Sequence, residues 1–137
     1  SRSSKGRNMK KEWKEATRQA YLQHVRLLIV NGADINSKDE HGQTALMNAA
    51  HAGQVELVRL LIENEADLNI TAKYNLSALM LALISHHTEI ARLLIEAGAD
   101  VNIRSNRNFY GQTALYLAEQ GGHSEIVVLL KQKGAIS

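Results

Sequence analysis

The chain has 137 residues, 45% of them hydrophobic and none of them Cys or Pro. One domain with a real core is therefore allowed, while a disulfide framework and a thiolate metal site are excluded. The net charge of +2 conceals an asymmetry: residues 1–18 carry seven basic and two acidic side chains, whereas the remainder carries nine and twelve.

The first segment, 1–9, is polar and basic and lacks an apolar run, so it does not read as a secretory signal. It is expected to be a disordered lead before a single domain at 10–137. It has no interleaved aromatics and precedes a net acidic body, which favours a solubilising tail over a nucleic-acid contact. No stretch approaches 18 apolar residues, so no membrane insertion is expected and the chain reads as intracellular and cytoplasmic.

From residue 10 onward the chain repeats itself. "GADIN" at 32–36 returns as "EADLN" at 65–69 and "GADVN" at 98–102, so Asp34, Asp67 and Asp100 stand 33 residues apart, as do Asn36, Asn69 and Asn102. Around that turn, 42–69 aligns with 75–102, and 111–135 follows after a three-residue insertion. Residues 21–36 form the second half of an earlier copy. Trp13 and Ala16 lie one period ahead of Leu46 and Ala49, so "KKEWKEATRQ" (10–19) reads as a diverged first helix. Self-similarity at such a period marks a solenoid.

Each unit is expected to hold two short helices and a turn. Thr44, Ser77 and Thr113 stand where an N-cap hydroxyl is wanted. Gly53 and Gly122 break the first helix. Leu57, Leu60 and Leu61, then Ile90, Leu93 and Leu94, then Ile126, Leu129 and Leu130 form an apolar stripe at i, i+3, i+4 on the second. Gly32, Gly98 and Gly134 fit the left-handed position after a helix. Glu65 and His86 occupy Gly positions of other copies, which predicts strained turns. Arg26, Arg59 and Arg92 recur on the polar side of the second helix, where Glu56–Arg59 and Glu89–Arg92 are expected to pair at i,i+3.

This pattern resembles the ankyrin repeat family. The family's T-P-L-H-x-A opening corresponds to "TALMNA" (44–49), "SALMLA" (77–82) and "TALYLA" (113–118), and its G-A-D-V-N closing is nearly unaltered. The family Pro is replaced by Ala45, Ala78 and Ala114, and the family His by Met47, Met80 and Tyr116. The resemblance implies an all-α solenoid of stacked helix-turn-helix units with short β-hairpin-like loops. Its repeats fall at about 10–38, 39–71, 72–107 and 108–137. Asn36, Asn69 and Asn102 also resemble asparagines that hydroxylases modify in this family. Lys131, at the position of Ile29, Ile62 and Ile95, and the polar 10–19 stretch predict a short array capped at both ends.

No motif of catalysis is present. The six His (His24, His41, His51, His86, His87 and His123) show no metal-ligand spacing, and no phosphate loop or nucleophile elbow occurs. No cofactor, metal or small-molecule substrate is expected. The resemblance implies a non-enzymatic protein-binding module that works through its hairpin tips and the exposed side of its first helices. By motif position these are Glu40, His41, Gln43 and His51 in the second repeat. In the third they are Lys73, Tyr74, Leu76 and Ile84, and in the fourth Phe109, Tyr110, Gln112 and Gln120; the insertion that lengthens the hairpin between them adds Arg107. Aromatic and apolar side chains at hairpin positions suit an interface centre, although Phe109 and Tyr110 could instead fold back over the third repeat. Competing readings are an accessory subunit that blocks a partner enzyme, or a scaffold that self-associates through Tyr74 and Tyr110; the expected state is a monomer.

Overall fold

The structure, a computed structural model, describes residues 2–136, with side chains from Met9 onward. Eight helices follow in order: α1 (Arg2–Gln19), α2 (Leu22–Val30), α3 (Ala45–Ala52), α4 (Val55–Glu63), α5 (Ala78–Ile84), α6 (Thr88–Glu96), α7 (Ala114–Gln120) and α8 (Ser124–Gln132). Short 3₁₀ turns at Lys73–Asn75 and Arg107–Phe109 precede α5 and α7. No strand occurs among the described residues. α1 begins inside the basic segment 1–9, whose side chains up to Asn8 lie outside the described residues.

Odd-numbered helices pack on one another to form one layer, and even-numbered helices form the second. Each pair therefore buries its stripe both within its unit and against the next. The core is aliphatic, as the composition requires: Leu46, Leu57, Leu61, Leu79, Leu83, Ile90, Leu94, Ile126 and Leu130 are all buried. Trp13 and Ala16 take the places of Leu46 and Ala49 in the first pair and are equally buried. Met47 and Met80 stand in place of the family's His and are fully buried, so dispersion contacts replace that residue's hydrogen bonds.

The helix starts follow from their caps. Thr44, Ser77 and Thr113 accept hydrogen bonds from Met47 N, Met80 N and Tyr116 N at 3.2–3.3 Å. Between the helices of a pair the backbone turns left-handed. Gly53 does so at φ 80, and a Cβ there would also lie 2.7 Å from the His87 ring. Ala20 and His86 take the same repeat position at φ 55 and 61, and Glu65 takes the Gly32 position at φ 63.

The repeated Asp-x-Asn turn ties the units together. Asp34, Asp67 and Asp100 accept from the N–H two residues on, which closes each turn locally. Asn36 and Asn69 then accept from the N–H of Asp67 and Asp100, both at 2.8 Å, and Asn102 accepts from Ile136 N at 3.0 Å. A second column runs through the N-cap residues of the even helices. Gln54 donates to Arg18 O and His87 to His51 O, one repeat earlier. At the last junction His123 Nε2 instead lies 3.0 Å from His86 Nδ1.

Two expectations need correction. Arg92 does not pair with Glu89; its guanidinium reaches Glu125 of the next repeat at 2.9 Å, and Arg59 likewise reaches Glu89 at 2.9 Å, with Glu56 farther at 3.6 Å. Stacking places the next helix as close as the next turn, with better geometry. The first end of the array is also less polar than the 10–19 stretch predicts. Tyr21, Leu27 and Val30 are exposed, whereas Leu60, one period after Leu27, is buried.

Candidate protein-binding surface

The hairpin of the second repeat is built on Asp39. Its Oδ1 accepts from His41 N at 2.8 Å and Gln43 N at 3.0 Å, its Oδ2 from the Asn48 amide at 3.1 Å, and its own N–H donates to Gln43 O. Partial burial raises the Asp39 pKa, but these hydrogen bonds and the nearby His41 outweigh it and hold the carboxyl below its usual value. The hydrogen bond from Lys14 likewise holds Glu40 low, and that ion pair ties the hairpin tip to α1. His41 projects into solvent beside Glu40, Gln43 is half-buried, and His51 bonds Ser85 Oγ at 3.0 Å.

At the base of the hairpin that leads into the fourth repeat, Ser105 stands where Asp39 does. It is buried, donates from its hydroxyl to Phe109 O at 2.8 Å and accepts from Gln112 N at 2.7 Å, while its N–H bonds Gln112 O. The three inserted residues lie inside this clip, so the longer loop is pinned at its base. That base also leans on the third hairpin: Asn106 N donates to Tyr74 O at 2.8 Å, and Asn75 donates to Arg104 O at 2.8 Å. The rings of Tyr74 and Phe109 meet at 5.6 Å, and Lys73 Nζ lies 5.0 Å over the Tyr74 ring.

The expected apolar cluster divides. Leu76 is 7% exposed and belongs to the core, which corrects its assignment to the surface. Its position follows the 3₁₀ turn and leads directly into the buried cap Ser77, so the side chain points inward. Tyr74, Phe109 and Ile84 are half-buried against the core, and Phe109 does fold back over the third repeat. Tyr110 does not: it is 84% exposed, with φ 66. Lys73, Arg107 and Gln120 are exposed and Gln112 is half-buried. The left-handed backbone of Tyr74 and Tyr110 had no signal in the sequence, because neither replaces a Gly of another copy.

Among the described residues no group of three or more His, Asp or Glu could hold a metal ion, and no helix is long and apolar enough to cross a membrane. What the geometry presents is a two-layer stack of four helix pairs with hairpin tips along one edge. A family model for ankyrin repeats in three copies matches residues 14–105, and a single ankyrin repeat matches 110–136. The chain belongs to the ankyrin repeat family. No curated protein matches it.

Proposed function

We propose that this chain is a non-enzymatic module that binds a protein partner through the hairpin tips and inner helices of repeats two to four. The observation that carries the reading is Tyr110. It is a large amphipathic side chain, almost fully exposed, on a loop whose base is clipped by Ser105 and whose side is braced by Tyr74 and Phe109. Its left-handed backbone costs on the order of 1 kcal/mol, a strain that surface folding alone does not require. Such pre-organised aromatic anchors suit an interface centre, because little entropy remains to be lost on binding. Lys73, Arg107 and Gln112 supply a polar rim.

The test is capture from native lysate with two baits, the chain itself and one carrying Lys73→Ser, Arg107→Ser and Tyr110→Ser. All three side chains lie outside the core, so the helical signal should be unchanged. A partner retained by the first bait and lost by the second supports this surface. A partner retained equally by both places recognition elsewhere and sinks the assignment.

A further inference from the structure

A groove of about 780 Å³ lies between α1 and the hairpin and α3 of the second repeat, within the roughly 300–1,000 Å³ typical of ligand sites. It has a cause at one position. Asn48 on α3 stands where Leu81 and Leu117 stand in the next two repeats. Leu81 is buried and Leu117 half-buried, which closes the concave face there. Asn48 remains exposed, held by Asp39, and leaves the face open. The small side chains of Ala45 and Ala52 allow a main chain to approach closely.

The two walls differ in chemistry. On one side α1 presents Lys10, Lys11, Lys14 and Arg18. Lys14 is committed to Glu40, but Lys10, Lys11 and Arg18, with Lys38 opposite, have no ion-pair partner among the described residues. On the other side Gln43 and Asn48 carry side-chain amides, and Asn48, whose Nδ2 donates to Asp39, turns its amide oxygen to the task of accepting. At the groove margin Trp13 is buried and forms the floor beneath α1. Unpartnered cations on one wall and side-chain amide oxygens on the other together define a site for an anionic chain that also carries main-chain N–H groups.

We propose that this groove takes an extended acidic segment of a partner protein, its carboxylates facing α1 and its main chain facing Gln43 and Asn48. The proposal rests on the reading of the chain as a protein-binding module and adds the chemistry of the partner. A nucleic acid fits less well. The Trp13 ring is too buried to stack on a base, and no Tyr or Phe among the described residues lines the groove.

Trp13 is the sole tryptophan, so its emission reports on the groove directly. The probe is a capped hexaglutamate peptide, with capped hexaglutamine and a short oligothymidylate as comparisons, read by fluorescence and calorimetry. Hexaglutamate should bind with an affinity that falls as salt rises, and hexaglutamine should not bind. Lys11→Glu with Arg18→Glu should weaken it by at least about tenfold. Asn48→Leu keeps every cation, fills the groove as Leu81 and Leu117 do, and should also abolish binding. Tyr110→Ser should leave it intact. Absence of hexaglutamate binding, binding indifferent to both groove variants, or tighter binding of oligothymidylate overturns the proposal. If these fail while partner capture still depends on Tyr110, the groove assignment alone is wrong. If capture fails while hexaglutamate binds, the Tyr110 surface is wrong.

Discussion

Glu65 holds φ 63 at a turn where Gly32 and Gly98 hold 92 and 97. A Cβ at such an angle crowds the following carbonyl, and its removal relieves about 0.5–1 kcal/mol after the added chain entropy of glycine is set against it. Glu65→Gly should therefore raise the thermal midpoint by roughly 2–4 °C; a lower midpoint would show that the Glu65 side chain contributes more than its backbone costs. Asp39 gives the opposite case, a side chain on which three donors converge. Asp39→Asn should destabilise the fold by about 1–2 kcal/mol near neutral pH, because charge-assisted bonds become neutral and one amide group meets donors with a donor. The sign of the pH dependence follows from its lowered pKa. The stabilisation is present above the unfolded carboxyl's pKa and is lost as pH falls through the folded one. The gap between wild type and Asp39→Asn should thus close below about pH 4 in acid-denaturation curves. A gap that persists at lower pH would mean the variant acts through packing.

Two of the three hairpins share a design, and that of the third repeat departs from it. Asp39 and Ser105 clip the base of their loops, with backbone bonds of 2.8 Å to Gln43 O and Gln112 O. Ala72 holds the equivalent position, accepts nothing through its side chain, and its N–H reaches Leu76 O only at 3.4 Å. Ala72→Asp should restore the clip and raise stability by about 0.5–1.5 kcal/mol in urea titration; no gain would indicate that the Tyr74 and Asn75 backbone aims its N–H groups elsewhere. The helices themselves were legible from sequence, since their caps and apolar stripes are local properties. The Arg92–Glu125 pair was not, because i,i+3 spacing and a one-repeat step compete and only stacking decides between them. Leu76 was misplaced because a hairpin position can face either way, and the neighbouring loop settles which. The groove had a signal that could have been used: Asn48 is polar at a period where Leu81 and Leu117 are apolar.

Across the whole array the poorest turns accompany the best core. The third repeat carries positive φ at Tyr74, Asn75 and His86 and lacks the Asp clip, yet every residue from Ala78 to Leu83 is buried. Both neighbours lean on it: α5 packs against α3 and α7, α6 against α4 and α8, and Arg59–Glu89, Arg92–Glu125 and the Asn69–Asp100 bond cross its two junctions. In a linear array, opening a central unit breaks two interfaces, whereas opening a terminal unit breaks one. Strain of about 1 kcal/mol per non-Gly left-handed residue is smaller than an aliphatic interface, because each fully buried Leu or Ile contributes about 1.5–3 kcal/mol. Burial therefore outweighs turn strain, and α5 and α6 should be the last to exchange their amide hydrogens in native-state deuterium exchange. The α2 and α8 amides, each with one open side, should exchange through local opening at lower free energy. Asn69→Ala, which cuts the central ladder bond, should narrow that difference more than Asn102→Ala does. Faster exchange in α5 and α6 than in α2 and α8 would reverse the ranking and show that turn geometry, rather than interface number, limits this fold.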